Sequence, residues 1–314
     1  MEEKIEIISL LQSKQILEQR LKTLAYGSVE IREKNSNKYI YVHYIEDGVS
    51  LTKYVGEYSD ELYNLILNNS IEAKKLKKQI REIAKKLTEF NYIEEELSEE
   101  VKQNIDFAKR HLVDTIYKQA ILEGVATTFA DTESIIEGGK VNNMTSEDIL
   151  KIINLKHAWE FILNKNVILS DTNFALLCEI NKMVEEGFYY TAGKVRNVPV
   201  TIGGTTWKTE LPIESIIKEE LSDIFNKKMD EVDKAIELLL YTMKKQIFID
   251  GNKRTSVIYS NHYLISKGKG IIAIPAELTQ EFKDLLIPYY EGKDSIKIKE
   301  FIKEKCYMDI FNSK

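Results

Sequence analysis

The chain has 314 residues, 43% hydrophobic and 30% charged, with a net charge of −6. That length allows two domains and a sizeable core, and the acidic balance gives no global attraction to nucleic acid. No stretch approaches the roughly 20 apolar residues of a membrane span, and the N-terminal Met-Glu-Glu-Lys-Ile-Glu does not read as a signal peptide. A cytoplasmic protein without membrane contact is therefore expected. Cys178 and Cys306 are too far apart in sequence to suggest a disulfide framework or zinc spacing, and His43, His111, His157 and His262 form no metal-ligand pattern.

Residues 4–24 predict a helix, with Ile5, Ile8, Leu17, Leu21 and Leu24 repeating at helical spacing. The period then changes to two, and 28–34, 38–45 and 51–58 read as strands. Their turns fall at Asn35-Ser36-Asn37 and Glu46-Asp47-Gly48. Residues 60–90 return to helix, with Leu76, Ile80, Ile83 and Leu87 on one stripe. Residues 1–95 thus read as an α+β arm: helix, three-stranded antiparallel meander, helix. Tyr39, Tyr41 and Tyr44, with Lys38 and Lys53, are candidates to stack on bases or to contact a target, while Glu30, Glu33, Glu46 and Asp47 offset the basic residues. The arm reads as a protein-interaction or structural element, with nucleic-acid binding the less favoured alternative. The lysine run over 74–86 reads as a solvated helix face rather than a phosphate track.

Residues 96–314 are expected to be mainly α. Ser134-Ile-Ile-Glu137-Gly138-Gly139 has the punctuation of a helix end. A strong amphipathic pattern covers 149–164, opened by Ser146-Glu147-Asp148, and further helices are predicted over 171–187, 213–227 and 231–246. Between them, Val195, Val198, Val200 and Ile202 precede Gly203-Gly204, a pattern that predicts a β-hairpin.

The most informative stretch is 246–256, Gln-Ile-Phe-Ile-Asp-Gly-Asn-Lys-Arg-Thr-Ser, set between two apolar helix-like runs. A loop that opens a helix is a natural anion site, because the first backbone N–H groups are unpaired and the dipole adds positive potential. Gly251 lets backbone approach a phosphate, and Asn252 tolerates left-handed geometry. Asp250 suits Mg²⁺, and Arg254 can fork onto phosphate oxygens.

This stretch resembles the signature of Fic-domain proteins, His-x-Phe-x-Asp/Glu-Gly-Asn-Gly-Arg-x-x-Arg. Phe248, Asp250, Gly251, Asn252 and Arg254 match; Gln246 stands for the His, Lys253 for the third small residue and Val257 for the second Arg. The resemblance implies a Fic-type helical bundle with a β-hairpin flap. It also implies ATP and Mg²⁺ as cofactors and transfer of AMP to a protein hydroxyl. Phe248, Gly251, Asn252 and Arg254 would form the nucleotide site, Asp250 would hold the metal, and Lys253 would stabilise charge. Gln246 can orient a hydroxyl but cannot accept its proton near neutral pH, so catalysis would need an altered base. The Asn-Lys-Arg-Thr run resembles the Doc toxin branch, which transfers the terminal phosphate; an inactive scaffold that binds nucleotide or partner is the other alternative.

Two flanking segments join the resemblance. The 195–207 flap, through Val198, Val200 and Ile202, would pair with a target protein's backbone. Segment 133–139, with Ser134, Glu137 and Gly138, resembles the autoinhibitory motif Ser/Thr-x-x-x-Glu-Gly with its spacing off by one. With Val257 at the usual arginine position, Glu137 would have to use Arg254 or Lys253. The arm offers a second partner surface, and a homo-oligomer is left open.

Overall fold

The computed structural model of this chain describes all residues except 1, 35, 36, 47, 48, 91, 93–96, 206, 294 and 311–314. It divides into two compact units, Met1–Ile93 and Glu94–Lys314. Among the described residues no helix is long and apolar enough to cross a membrane.

In the first unit, α1 (Glu2–Thr23) leads into β1 (Ser28–Lys34), β2 (Asn37–Glu46) and β3 (Val49–Glu57), followed by α2 (Asp60–Glu89). The strands form an antiparallel sheet in the order β1-β2-β3. Alternation turns Ile40 and Val42 inward onto Ile66 of α2, with Val29, Tyr44, Val55, Leu62 and Tyr63 packed around them. α2 begins where Ser59 Oγ accepts the Leu62 N–H at 3.1 Å, with Asp60 and Glu61 favouring the positive end of the helix dipole. Both turns expected between the strands include positions outside the described residues.

The second unit is helical. It contains α3 (Glu99–Arg110), α4 (Leu112–Leu122), α5 (Phe129–Ile136), α6 (Ser146–Ile162), α7 (Lys165–Ile168) and α8 (Phe174–Val184). After a long irregular segment come α9 (Glu214–Asn226), α10 (Glu231–Lys245), α11 (Asn252–Ser266), α12 (Thr279–Tyr290) and α13 (Ile296–Phe301). A π-helical turn, Ile302–Cys306, ends the last helix, and β4 (Ile271–Ile272) pairs antiparallel with β5 (Tyr307–Met308).

α11 is the central element, with residues 254–265 all buried and α3, α6, α8 and α10 packed against it. A helix buried on every side must satisfy its own polar groups. Asn261 does so by bonding both the N–H and the C=O of Ile272, each at 2.8 Å, which also fixes β4. His262 sits between Val167 O (2.9 Å) and Thr172 Oγ1 (2.8 Å), and burial pulls its pKa down to about 4. It is a neutral core histidine.

The predicted hairpin is reduced. Over 195–212 the only strand-like pairing among the described residues is the antiparallel bridge Thr201↔Lys208, closed around Gly203 and Gly204. Pro199 has no N–H to donate to a ladder, and side-chain bonds from Arg196 hold the segment instead.

Candidate functional site

The site forms where α10 stops and α11 starts. α10 ends at Gln246 in the left-handed conformation (φ 47°), and Gly251 (φ 70°) precedes α11. Two left-handed residues so close together fold the chain back on itself. Asn252 locks that reversal: its Nδ2 donates to Phe248 O at 2.9 Å and its Oδ1 accepts the Phe248 N–H at 3.0 Å. Both ends of its side chain are therefore committed to the loop, and it acts on the site by fixing the backbone there. Phe248 is buried as the loop's apolar anchor. Asn181 of α8 clamps the other side by donating to Asp250 O (3.0 Å) and Thr255 Oγ1 (3.1 Å) while accepting the Gly193 N–H.

Asp250 keeps its carboxylate about half exposed, with Oδ1 accepting the Gly251 N–H at 2.7 Å. Gln246 folds its amide back, donating from Nε2 to Met243 O at 2.6 Å, so the side chain caps α10. Lys253 turns toward Glu123, 3.5 Å away. Val257 is 1% exposed, so the position of the second signature arginine faces the core.

Arg254 is 3% exposed and surrounded by carboxylates: Glu185 at 2.8 Å, Glu123 at 3.9 Å and Asp250 at 3.9 Å. The Glu185 contact is an ion pair without hydrogen-bond alignment. Nε and Nη1 of Arg254, Oε1 of Glu185 and Oε1 of Glu123 are all buried with no hydrogen-bond partner. Glu185 also fills the space that glycine leaves open, since a Cβ on Gly251 would stand 2.3 Å from its Oε1. Burial pushes the Glu185 carboxyl up to about 7, with Arg254 opposing. Behind Arg254, Trp159 donates to Gln119 Oε1 (2.9 Å) and Gln119 donates to Arg254 O (2.7 Å), fixing the first turn of α11.

The flap is anchored by Arg196. Its Nε donates to Gln246 O at 2.6 Å, Nη1 to Val198 O at 2.8 Å, and Nη2 to Thr209 Oγ1 and Glu210 O at 2.6 and 2.8 Å. Val198 is 46% exposed, and Val200 and Ile202 are partly buried. Beside it lies an open pocket of about 520 Å³ lined by Trp207, Leu211, Ile216, Tyr241, Lys244 and Tyr289, among others.

Residues 171–264, which span α8 to α11, match the family model described as the Fic/DOC family. The chain carries a Fic domain. Solved structures with this fold include Fic-1 from C. elegans, at 17% identity and TM-score 0.51, covering 78% of this chain and 73% of that one. A Fic domain containing signaling protein from Bacteroides thetaiotaomicron shares 18% identity at TM-score 0.54, covering 67% and 86%. A Fic family protein from Desulfovibrio desulfuricans G20 shares 14% at TM-score 0.50, covering 65% and 68%. At such identities the likeness shows the fold. No curated protein matches the chain.

Within the Fic domain, the structure brings Gln246, Phe248, Asp250, Gly251, Asn252 and Arg254 into one loop and helix start. The inhibitory-type segment sits differently from the expectation of a carboxylate on Arg254. Residues 134–139 close α5, with Gly139 N–H donating to Ser134 O at 2.7 Å and Gly138 at φ 80°. Ser134 Oγ donates to Lys140 O, and Glu137 is exposed, with no ion pair among the described residues. Besides Asp250 of its own loop, the carboxylates facing Arg254 are Glu185 and Glu123, which follow the last turns of α8 and α4. Sequence reading missed both. Each lies just before a helix-stopping glycine, Gly187 and Gly124, and that pattern carries no charge-pairing signal.

Proposed function

We propose that this protein binds ATP with Mg²⁺ at the head of α11 and transfers AMP to a protein hydroxyl, with a base other than the histidine of related signatures. One observation supports the reading above the rest: the buried Arg254 guanidinium has two nitrogens with no acceptor, beside a helix N-terminus in a Fic domain. Those groups fit an oxygen-rich anion. Backbone of 251–253 and Arg254 would hold the phosphates, and Asp250, half exposed beside them, would hold the metal. Bound ATP would supply the activated α-phosphate: the target hydroxyl oxygen bonds to it, the bond to the β-phosphate breaks, and pyrophosphate leaves. Lys253 lies one residue from Arg254 and adds positive charge to the same helix end. Gln246 can position a hydroxyl only by leaving its α10 cap, and the flap and its pocket would hold the target segment.

A second reading, a nucleotide-binding scaffold without transfer, draws on two observations. The Gln246 amide is spent on Met243 O, and Glu185 stands where a phosphate oxygen would approach Gly251. A phosphate transferase of the Doc type draws only on Lys253, whose ammonium points to Glu123.

Intact-mass analysis after incubation with ATP and Mg²⁺ tests these readings. An adenylyl adduct, raised in Gln246→His because His accepts the proton, is expected. A phosphoryl adduct would give the Doc-type reading, and no adduct together with calorimetric ATP binding would leave the scaffold. Absence of ATP binding, in wild type and in Glu185→Gln alike, would remove the nucleotide site.

A further inference from the structure

The solvent face of α2 carries a row of basic side chains. Residues 72–89 carry seven basic and three acidic side chains. Lys74, Lys78, Arg81 and Lys85 recur at i, i+4, i+7 and i+11, the spacing that stacks side chains along one face. All four are exposed, while Ala73, Leu76 and Leu87 are buried. At 1.5 Å rise per residue the row runs about 16 Å. Among the described residues of this row only Lys78 has a carboxylate in range, Glu82 at 3.8 Å. Like charges at this spacing repel and cost helix stability, so the row is best satisfied by negative charge brought from outside.

The same unit offers a second surface. On the outer face of its sheet, Tyr39 and Tyr54 lie 6.2 Å apart, Tyr54 and Tyr41 5.5 Å apart, and the Arg32 guanidinium sits 4.4 Å over Tyr41. Register explains the cluster, because Arg32 pairs with Tyr39, and Tyr41 with Glu30 and Tyr54. Tyr54 is 53% exposed. The exposed Tyr54, the half-buried Tyr39 and Tyr41, and Arg32, which Glu30 holds at 2.8 Å, give this sheet face aromatic surfaces on which bases can stack, a contact that an acidic protein or a lipid headgroup does not supply.

We propose that the Met1–Ile93 unit binds single-stranded nucleic acid, with phosphates along Lys74, Lys78, Arg81 and Lys85 and bases on the Tyr39–Tyr54–Tyr41 platform. The proposal is independent of the α11 site.

The test is fluorescence anisotropy of the full chain with a fluorescein-labelled single-stranded oligonucleotide, from about 50 to about 200 mM salt. At about 0.7 per phosphate, four contacts give a log–log salt slope near −3. Lys74→Gln with Lys78→Gln, Arg81→Gln and Lys85→Gln keeps good helix formers and is expected to weaken binding at least about tenfold and flatten the slope. Tyr54→Ala is expected to weaken binding about fivefold or more without changing the slope. Circular dichroism checks folding, and Lys74→Gln with Lys85→Gln serves if the fourfold variant misfolds. No binding, binding indifferent to salt, or binding unchanged in both lysine variants overturns the proposal. So does tighter binding of polyglutamate or of phosphatidylserine vesicles, which would point to an acidic protein or a membrane.

Discussion

The head of α11 and the flap beside it are built by opposite means. The head is wired from several elements at once: Asn252 onto Phe248, Asn181 onto Asp250 and Thr255, Gln119 onto Arg254, and Arg254 among Glu185, Glu123 and Asp250. The flap has one bridge, one anchoring arginine, a Thr205–Glu291 hydrogen bond and a Trp207–Tyr290 stack, and it leaves Val198 and Leu211 exposed. A cradle for concentrated charge gains from preorganised donors. A rim that receives another chain's backbone gains from unpaired edges that can still take a strand. Under the proposed function, the two would place their order where each task needs it.

The largest expected effect breaks the wired side. Arg254→Ala leaves Glu185 buried without a cation, and a loss of about 3–5 kcal/mol in urea denaturation is expected. A loss below about 1 kcal/mol would mean that Glu185 takes up a proton or reaches water once the cation is gone, and the contrast with the flap would fall. Asn252→Ala removes both bonds to Phe248 and should cost about 2 kcal/mol. ATP affinity measured by calorimetry should fall with it, because the loop loses its shape. On the flap side, Arg196→Ala frees carbonyls that water can reach, so a global cost of about 1–2 kcal/mol is expected. Limited proteolysis should show cleavage over 197–212 rising sharply, and an unchanged cleavage pattern would mean that the flap is ordered by other contacts.

The smallest effect concerns pH. Burial raises the Glu185 carboxyl to about 7, above the roughly 4.3 of an unfolded glutamate. The native state then holds a proton that the unfolded state has released, so this group's contribution declines as pH rises from about 4.3 to 7. Glu185→Gln should flatten that part of the stability profile. An identical profile in the variant would place the Glu185 carboxyl in the ordinary range.

Periodicity made much of the fold legible before any coordinates. Strands at 28–34 and near 38–45 and 51–58 followed from alternation, and α10 and α11 from apolar runs on either side of Asp250-Gly251-Asn252. These signals are local, since a strand or helix buries the face that its own period creates. The flap misled the same reasoning. β-branched residues and a Gly-Gly turn predicted a ladder, but Arg196 satisfies the backbone there and a single bridge suffices.

By itself the sequence determined the element pattern, the signature loop and the loss of its histidine, because each is written in adjacent residues. Tertiary structure alone decided what Arg254 faces. Glu123 and Glu185 arrive from the ends of α4 and α8, and only the packing of those helices around α11 brings their carboxylates to one guanidinium. The same packing left Glu137, at the helix end its glycines predicted, exposed and without an ion pair among the described residues, and it made Gln246 a cap. Charge partners depend on separations of a few ångströms between distant segments, and no spacing along the chain encodes them.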